Sequence, residues 1–320
     1  MRVLITGGTG FIGSRVAGMA EARGHEVTLL ARHAADGMAS IVHDLAQPAG
    51  LTEVMGGFDG VIHCAAAMGG SAEAQRSSTI VGTRNLVEAM GAARVRRCVL
   101  VSSLAVYDYR ALRPGDTLTE DSPLDHSSDA RGPYIAAKRK QERIVTASAS
   151  LDWTVVRPGL VFGPGRTWFY HLGARLSNTW ITMAGAGILP LAHVDNCADA
   201  IAAALDAPAS VRATLNLVDD DLPTRTRYVK WLADREARRP VVLDIPWPVL
   251  NEVSRGAWLA THGLLRDLVQ TPGSLHPAAL AARCKPLRYD NARARAVLRW
   301  SPRIDVERGL RDALDAAPNR

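Results

Sequence analysis

The stretch Thr6-Gly7-Gly8-Thr9-Gly10-Phe11-Ile12-Gly13 decides the fold of this 320-residue chain. It follows an apolar run at residues 3–6 and leads directly into helical periodicity over residues 11–22. Gly8, Gly10 and Gly13 satisfy the three-glycine spacing of a dinucleotide-binding turn, and Gly7, Gly10 and Gly13 give a second, overlapping one. Glycine suits these positions because the chain must turn tightly, approach a diphosphate without a Cβ in the way, and let helix pack on strand. The unpaired amides of the helix N-terminus then face the anion. A flexible turn would use the same residues; the setting between a first strand and a first helix favours the phosphate cradle.

Outward from this loop, apolar runs alternate with helical stretches. Residues 27–31, 41–43, 60–63, 99–102 and 153–157 read as short buried strands, and residues 72–93 and 134–148 as helices. The expected fold is α/β, a Rossmann-type doubly wound parallel sheet with a smaller, mostly helical C-terminal substrate lobe. Beyond residue 165 the pattern predicts a helix over 168–176, a strand entering His193, a helix over 195–205 and a strand at 214–218. No Gly, Ser or Pro linker separates the halves. Residues 1–165 are therefore expected to bind the dinucleotide and carry the catalytic groups, with 166–320 forming a substrate lobe intertwined with them. Within it, residues 246–268 set Trp247, Leu250, Val253, Ala257, Trp258, Leu264 and Leu265 on roughly one helical face, expected to be core or dimer contact.

Composition narrows the class. With 47% hydrophobic and 22% charged residues the chain reads as an ordinary globular protein, and no apolar run is long enough to span a bilayer. The N-terminus enters a strand at once and lacks a secretory signal, so a cytoplasmic setting is expected. Cys64, Cys98, Cys197 and Cys284 are widely spaced with no CxxC pair, which predicts reduced thiols and no metal site. The net charge of +6 raises the question of a polyanionic partner. Lys138, Lys140, Lys230 and Lys285 are the only lysines, and the arginine surplus is dispersed without interleaved aromatics, so neither nucleic acid nor membrane is expected as a partner.

Cofactor choice rests on the end of the second strand, where an acidic residue would bond a ribose 2′-hydroxyl. The sequence there is Leu30-Ala31-Arg32-His33. With no carboxylate to repel a 2′-phosphate and Arg32 able to meet it with a charge-assisted fork, NADP is expected over NAD. Asp44, after the third strand, is placed to accept from the adenine amino group.

Tyr134 and Lys138 lie four apart on a helix and so share a face. A phenol needs a neighbouring cation to work as an acid or base near neutral pH, and Lys138 is expected to supply it while also holding the nicotinamide ribose. Ser103, at the end of a strand, adds a hydroxyl able to polarise a carbonyl that shares a proton with Tyr134.

With these groups in one chain, the sequence resembles the extended short-chain dehydrogenase/reductase family over nearly its whole length. Further motifs carry the resemblance: His63-Cys64-Ala65-Ala66, Val81-Gly82-Thr83, Ser102-Ser103, Thr119-Glu120, Arg157-Pro158, Gly163-Pro164-Gly165, His193-Val194-Asp195-Asn196 and Trp300-Ser301-Pro302. The resemblance implies a Ser103-Tyr134-Lys138 active site. It implies a cofactor cleft formed by Gly7, Gly10, Phe11, Ile12, Gly13, Arg32, Asp44, Leu45, Ala65, Ala66, Ser102, Tyr134, Lys138, Pro158, Leu160 and Val161. It also implies a homodimer through the helices at 72–93 and 134–148.

Departures from the family pattern select within it. Leu104-Ala105 stand where sugar dehydratases carry an Asp-Glu pair, so dehydration is not expected. Leu160 stands where nucleotide-sugar enzymes have Asn, and Leu189-Pro190-Leu191-Ala192 lacks their usual Arg. Thr79 replaces an Asn that relays protons in many members, and its hydroxyl is a candidate to hold a water instead. The pattern looks like the reductase and hydroxysteroid dehydrogenase branch, with hydride transfer at an alcohol or ketone carbon of a small, weakly polar substrate. Trp168, Phe169, Tyr170 and His171 are candidate wall residues of its site. The alternatives are a nucleotide-sugar 4-epimerase and a non-catalytic NADP-binding scaffold or sensor.

Overall fold

A computed structural model describes residues 1–67, 71–126, 131–264 and 276–316. The first half runs β1 (Arg2–Thr6), α1 (Phe11–Ala22), β2 (Glu26–Ala31), β3 (Ser40–Val42), α2 (Leu51–Met55), β4 (Gly60–His63) and α3 (Ala72–Gln75). A π-helical turn (Arg76–Val81) leads to α4 (Gly82–Ala92), β5 (Arg97–Val101), β6 (Thr117–Leu118), α5 (Pro133–Thr146), β7 (Asp152–Pro158) and β8 (Leu160–Phe162). The second half adds β9 (Gly173–Leu176), β10 (Thr179–Met183), β11 (Leu191–His193), α6 (Val194–Asp206), β12 (Ala213–Leu217), α7 (Arg225–Ala233) and β13 (Val241–Ile245). It closes with α8 (Trp247–Leu259), α9 (Pro277–Cys284), β14 (Arg288–Tyr289), α10 (Ala292–Leu298) and α11 (Val306–Ala316).

Seven strands form one parallel sheet in the order β12-β7-β5-β4-β1-β2-β3. The chain starts in the middle, works to one edge through β2 and β3, and returns to the other side of β1 at β4. The β1/β4 boundary is thus the switch point, where strand ends leave a crevice for ligand. Buried runs such as Val3-Leu4-Ile5 and Val61-Ile62 are apolar on both faces because helices cover both. One face packs α1 and the alanine-rich α6 through Val16, Ala17, Ala20, Ala200 and Ala204; the other packs α2, α4 and α5 through Leu51, Met55, Leu86, Met90 and Val145. The edge strand β12 comes from the second half of the sequence and pairs with β7, so the central sheet draws on both halves.

The second half departs from expectation in two places. Residues 168–176 do not form a helix: β9 and β10 make an antiparallel hairpin, joined in parallel by β13. Gly173 has φ +129, and a Cβ there would sit 2.0 Å from the Ile181 carbonyl oxygen, so the close crossing of two strands requires glycine at this position. Alternation in Thr179-Trp180-Ile181-Thr182, with Trp180 and Thr182 buried, completes the strand pattern. The predicted apolar face of residues 246–268 is also only partly core. Leu250 is buried, whereas Val253 is 54% and Trp258 36% exposed; Leu265 lies outside the described residues. No helix among the described residues is long and apolar enough to cross a membrane.

Candidate active site

The glycine loop is tight because the ends of β1 and β4 nearly touch. Gly7 takes φ +69, and a Cβ on it would meet the Ala65 amide nitrogen at 2.7 Å; one on Gly13 would meet the Gly7 carbonyl oxygen at 2.1 Å. Gly10 caps α1 without a side-chain hydrogen bond, and the first intrahelical bond runs from Ser14 N–H to Gly10 C=O at 3.0 Å. The amides of Phe11, Ile12 and Gly13 therefore remain available to a diphosphate. Arg32, just past β2, is exposed and has no ion-pair partner among the described residues. Asp44 has one oxygen occupied, since Oδ1 accepts from the Ala46 amide at 2.9 Å, as a loop cap does. A cradle that side chains would fill, free helix amides and an unpaired cation at the strand end together fit a dinucleotide.

Beside this loop a cavity of about 970 Å³ opens at the C-terminal ends of the strands. Ser103, Tyr134 and Lys138 all line it, together with Ile12, Ala66, Ser102, Pro158, Leu160 and Val161. Each catalytic candidate is placed by a local device. Ser103 follows β5 in extended backbone (φ −163°, ψ 151°), with its Oγ accepting from the Ala105 amide at 3.1 Å. Gly132 at φ +96 turns the chain into α5, Pro133 opens the first turn, and Tyr134 and Lys138 then project from the same face.

The electrostatics add one group to the expected set. Burial pushes the Tyr134 phenol above its ordinary value, a hydrogen bond with the Ser103 side chain draws it down, the neighbouring Tyr170 raises it and Arg166 lowers it. Arg166 is thus a cation beside this phenol that the sequence did not single out. The Lys138 ammonium donates to the Val101 carbonyl oxygen at 2.8 Å and to Gln141 Oε1 at 2.9 Å. Burial lowers it to about 8, against the opposing pull of Cys64 and Glu142. Gln141 is oriented in turn, since its amide nitrogen donates to Thr83 Oγ1 at 2.9 Å and to the Ala65 carbonyl oxygen at 3.2 Å, beside His63. Burial, and then the Lys138 charge, hold His63 down to about 3, so this network contains a neutral imidazole.

Below it, Glu142 accepts two bonds from the Arg157 guanidinium at 2.7 and 2.9 Å and one from the Ser102 hydroxyl at 2.5 Å. That buried pair fixes β5, α5 and β7 around the reaction centre. Thr79 does not reach the cavity: its hydroxyl is buried, accepting from the Ala67 amide at 3.0 Å. Among the described residues no group of three or more His, Cys, Asp or Glu side chains is arranged to hold a metal.

The outer wall is made by Leu104, Ala105, Tyr109, Trp168, Phe169 and Tyr170, with Ala279 and Ala282 from α9. Three arginines also line the cavity: Arg131, Arg166 and Arg283. These and Gln141 are the site residues that sequence reading missed. Gln141 had a legible signal, lying three residues after Lys138 on one helix; the arginines come from separate loops and from α9, which no local spacing connects.

The family model for the NAD dependent epimerase/dehydratase family matches residues 3–217. The chain belongs to this family. It is similar to the 2-alkyl-3-oxoalkanoate reductase of Stenotrophomonas maltophilia (strain K279a), 28% identical over 97% of this chain and 98% of the relative. It is also similar to a 3-diazoavenalumate denitrifying reductase from a Streptomyces species, 30% identical over 94% and 96% of the two chains. Among solved structures, the UDP-glucose 4-epimerase of Thermus thermophilus in complex with NAD superposes with a TM-score of 0.70 at 21% identity, covering 99% of this chain and 98% of that one. The last likeness concerns the fold. This family member is an oxidoreductase that depends on a nicotinamide cofactor.

Proposed function

We propose that this family member is an NADP-preferring reductase of a ketone carbon on a substrate with an apolar body, acting reversibly on the corresponding alcohol. The observation that carries the reading is the meeting of Ser103, Tyr134 and Lys138 in one cavity beside the glycine loop. A nicotinamide bound there would supply the hydride in reduction and accept it in oxidation. Ser103 donates to the substrate carbonyl oxygen and orients it towards Tyr134. Tyr134 delivers the proton to the alkoxide oxygen as the carbonyl carbon is reduced, and withdraws it in the reverse direction. Lys138, held by Val101 and Gln141, keeps one N–H for the ribose hydroxyls.

Leu160 and the Leu189-Pro190-Leu191-Ala192 run give no polar side chain for a nucleotide sugar, which weighs against the epimerase reading. The two reductases similar to the chain along most of its length favour net reduction. The substrate lobe proposed for residues 166–320, the homodimer and the cytoplasmic setting belong to the same reading. So do the individual cofactor contacts, with Arg32 assigned to the 2′-phosphate.

The test is NADPH and NADH consumption by the purified protein over a panel of aliphatic and aryl ketones. Consumption of NADPH in preference to NADH is expected. Arg32→Glu should reverse that preference, weakening NADPH by about 10–100-fold, the equivalent of one lost charge-assisted contact. Interconversion of nucleotide sugars without net cofactor consumption would overturn the proposal.

A further inference from the structure

The cavity's cations differ in what they are attached to. Arg131 is spoken for: its Nη1 lies 3.1 Å from an oxygen of buried Asp125 and donates to the Tyr107 carbonyl oxygen at 2.7 Å. Arg166 stacks over Phe11, with its guanidinium carbon 5.1 Å from the ring centroid, at the entrance to the glycine loop. Arg283, on the last turn of α9, faces the other end of the cavity. Its Nη2 donates to the Tyr170 carbonyl oxygen at 2.8 Å, and the guanidinium lies 4.9 Å from the Tyr170 ring centroid. Its Nε is buried without an acceptor, and no carboxylate among the described residues pairs with it.

The surroundings hold this cation in place without neutralising it. Arg225, itself buried, donates to the backbone carbonyls of both His171 and Arg283, tying the 168–171 loop to the end of α9. The charges of Arg225, Arg283 and Arg131 all bear on the His171 ring, whose Nδ1 is buried and unpartnered. Much of the rest of the wall is apolar or small: Leu104, Ala105, Phe169, Ala279 and Ala282. A fixed guanidinium with an unpartnered donor, lining a largely apolar cavity, is a site for a planar anion.

We infer that Arg283 binds a carboxylate on the substrate, so that the substrate class is an apolar ketone carrying a carboxylate several bonds from the reacting carbonyl. This rests on the reading that the cavity takes a ketone, but its test does not use turnover. Arg283 grips the carboxylate, the apolar body lies against the alanines of α9, and the carbonyl reaches Ser103 and Tyr134. Arg283 is thereby a specificity-determining residue that never touches the reacting atoms.

The experiment measures binding of hexanoate, decanoate and 3-phenylpropanoate, each against its matched alcohol, to the NADP-loaded protein by calorimetry. At least one carboxylate is expected to bind about tenfold or more tightly than its alcohol, as a charge-assisted pair gives. Arg283→Met should remove the preference while leaving the alcohol and NADP affinities unchanged, and Arg283→Lys should retain part of it. Equal binding of acid and alcohol by the wild type, or a preference that survives Arg283→Met, overturns the inference. So does loss of the preference in Arg166→Met but not in Arg283→Met. Absence of any ketone turnover, with the Arg283-dependent preference intact, would instead sink the proposed reaction and leave the anion site standing.

Discussion

On the cofactor side of the cavity the polar side chains bond one another: Lys138 with Gln141, Gln141 with Thr83, His63 with Thr6, and Glu142 with Arg157 and Ser102. On the substrate side Arg166 has an aromatic neighbour, Arg283 has an aromatic neighbour and a backbone carbonyl, and neither has a carboxylate among the described residues. The first arrangement is complete before any ligand arrives, and its burial fixes distances at the reaction centre. The second carries charge in search of a partner, on loops and on α9, where a different substrate needs only different side chains. Chemistry that is common to many substrates sits on the sheet, and recognition sits on the segments laid over it.

The largest effect should come from removing one atom at the meeting of the two sides. Tyr134→Phe is expected to lower kcat by about 10²–10⁴-fold with NADP(H) affinity nearly unchanged, since only the transferred proton is lost. Burial holds the Tyr134 phenol above its ordinary value, so its acid form persists through the neutral range. Ketone reduction should therefore be nearly flat from about pH 6 to 8, while alcohol oxidation, which needs the phenolate, should rise with pH. Steady-state kinetics in both directions, with cofactor binding by fluorescence, checks this. Equal losses of rate and cofactor affinity would mean that the two walls are not separable at this residue.

Next in size is a stability contrast between two arginines. Arg157 and Glu142 are almost fully buried and 2.7 Å apart, and Arg157 also donates to the Tyr107 hydroxyl at 2.8 Å. Arg157→Met should cost about 3–5 kcal/mol in denaturant unfolding, because Glu142 is left charged and unpaired, and Glu142→Leu in addition should recover much of the loss. Arg283→Met, which strands no carboxylate, should cost less than about 1 kcal/mol. A large loss at Arg283 would show that it is as structurally committed as Arg157.

One histidine on each side is held near pKa 3: His63 by burial and then Lys138, His171 by burial and then Arg225, Arg283 and Arg131. Both values lie below the ordinary 6.5, so the folded state resists protonation. The stability each contributes is complete above about pH 6.5 and is lost as the pH falls towards about 3. Between about pH 6.5 and 4.5 each should account for about 2–3 kcal/mol. Unfolding of His63→Gln and His171→Gln over that range, compared with wild type, should show a shallower decline for each. An imidazole that titrates at its ordinary value by NMR in the folded protein would remove that residue from the account.

What could be read from the sequence follows the same division. The glycine loop, the strands of the sheet and Ser103, Tyr134 and Lys138 depend on local spacing: a turn that excludes Cβ atoms, apolar runs, residues four apart on a helix. All were legible. The cations of the substrate side were not, because Arg131, Arg166 and Arg283 line one cavity only after α9 packs on the segment around residues 104–109. The run Trp168 to His171 is apolar enough to resemble a helix; the strand that follows depends on Gly173 crossing the backbone of Ile181, a partner eight residues away. The partners of Lys138 were hidden for a related reason. Spacing puts Tyr134 and Lys138 on one face, but it cannot show that the Val101 carbonyl, supplied by a different element, holds the ammonium.

The smallest expected effect concerns Leu160, which stands where the two walls join. It is half-buried at the start of β8, lines the cavity, and packs against the cluster containing Phe162, Trp180 and Leu191. Leu160→Asn removes part of an apolar contact without leaving a buried charge, so the loss for an apolar ketone should be about 1 kcal/mol, or roughly fivefold in kcat/KM. It should appear in KM more than in kcat, because the contact is made equally in ground and transition states. The same change should not confer use of a nucleotide sugar, since the Leu189-Pro190-Leu191-Ala192 run still offers no polar side chain to one. A Leu160→Asn protein that gains such a substrate would show that one side chain, and not the whole substrate wall, sets the boundary between reductase and epimerase.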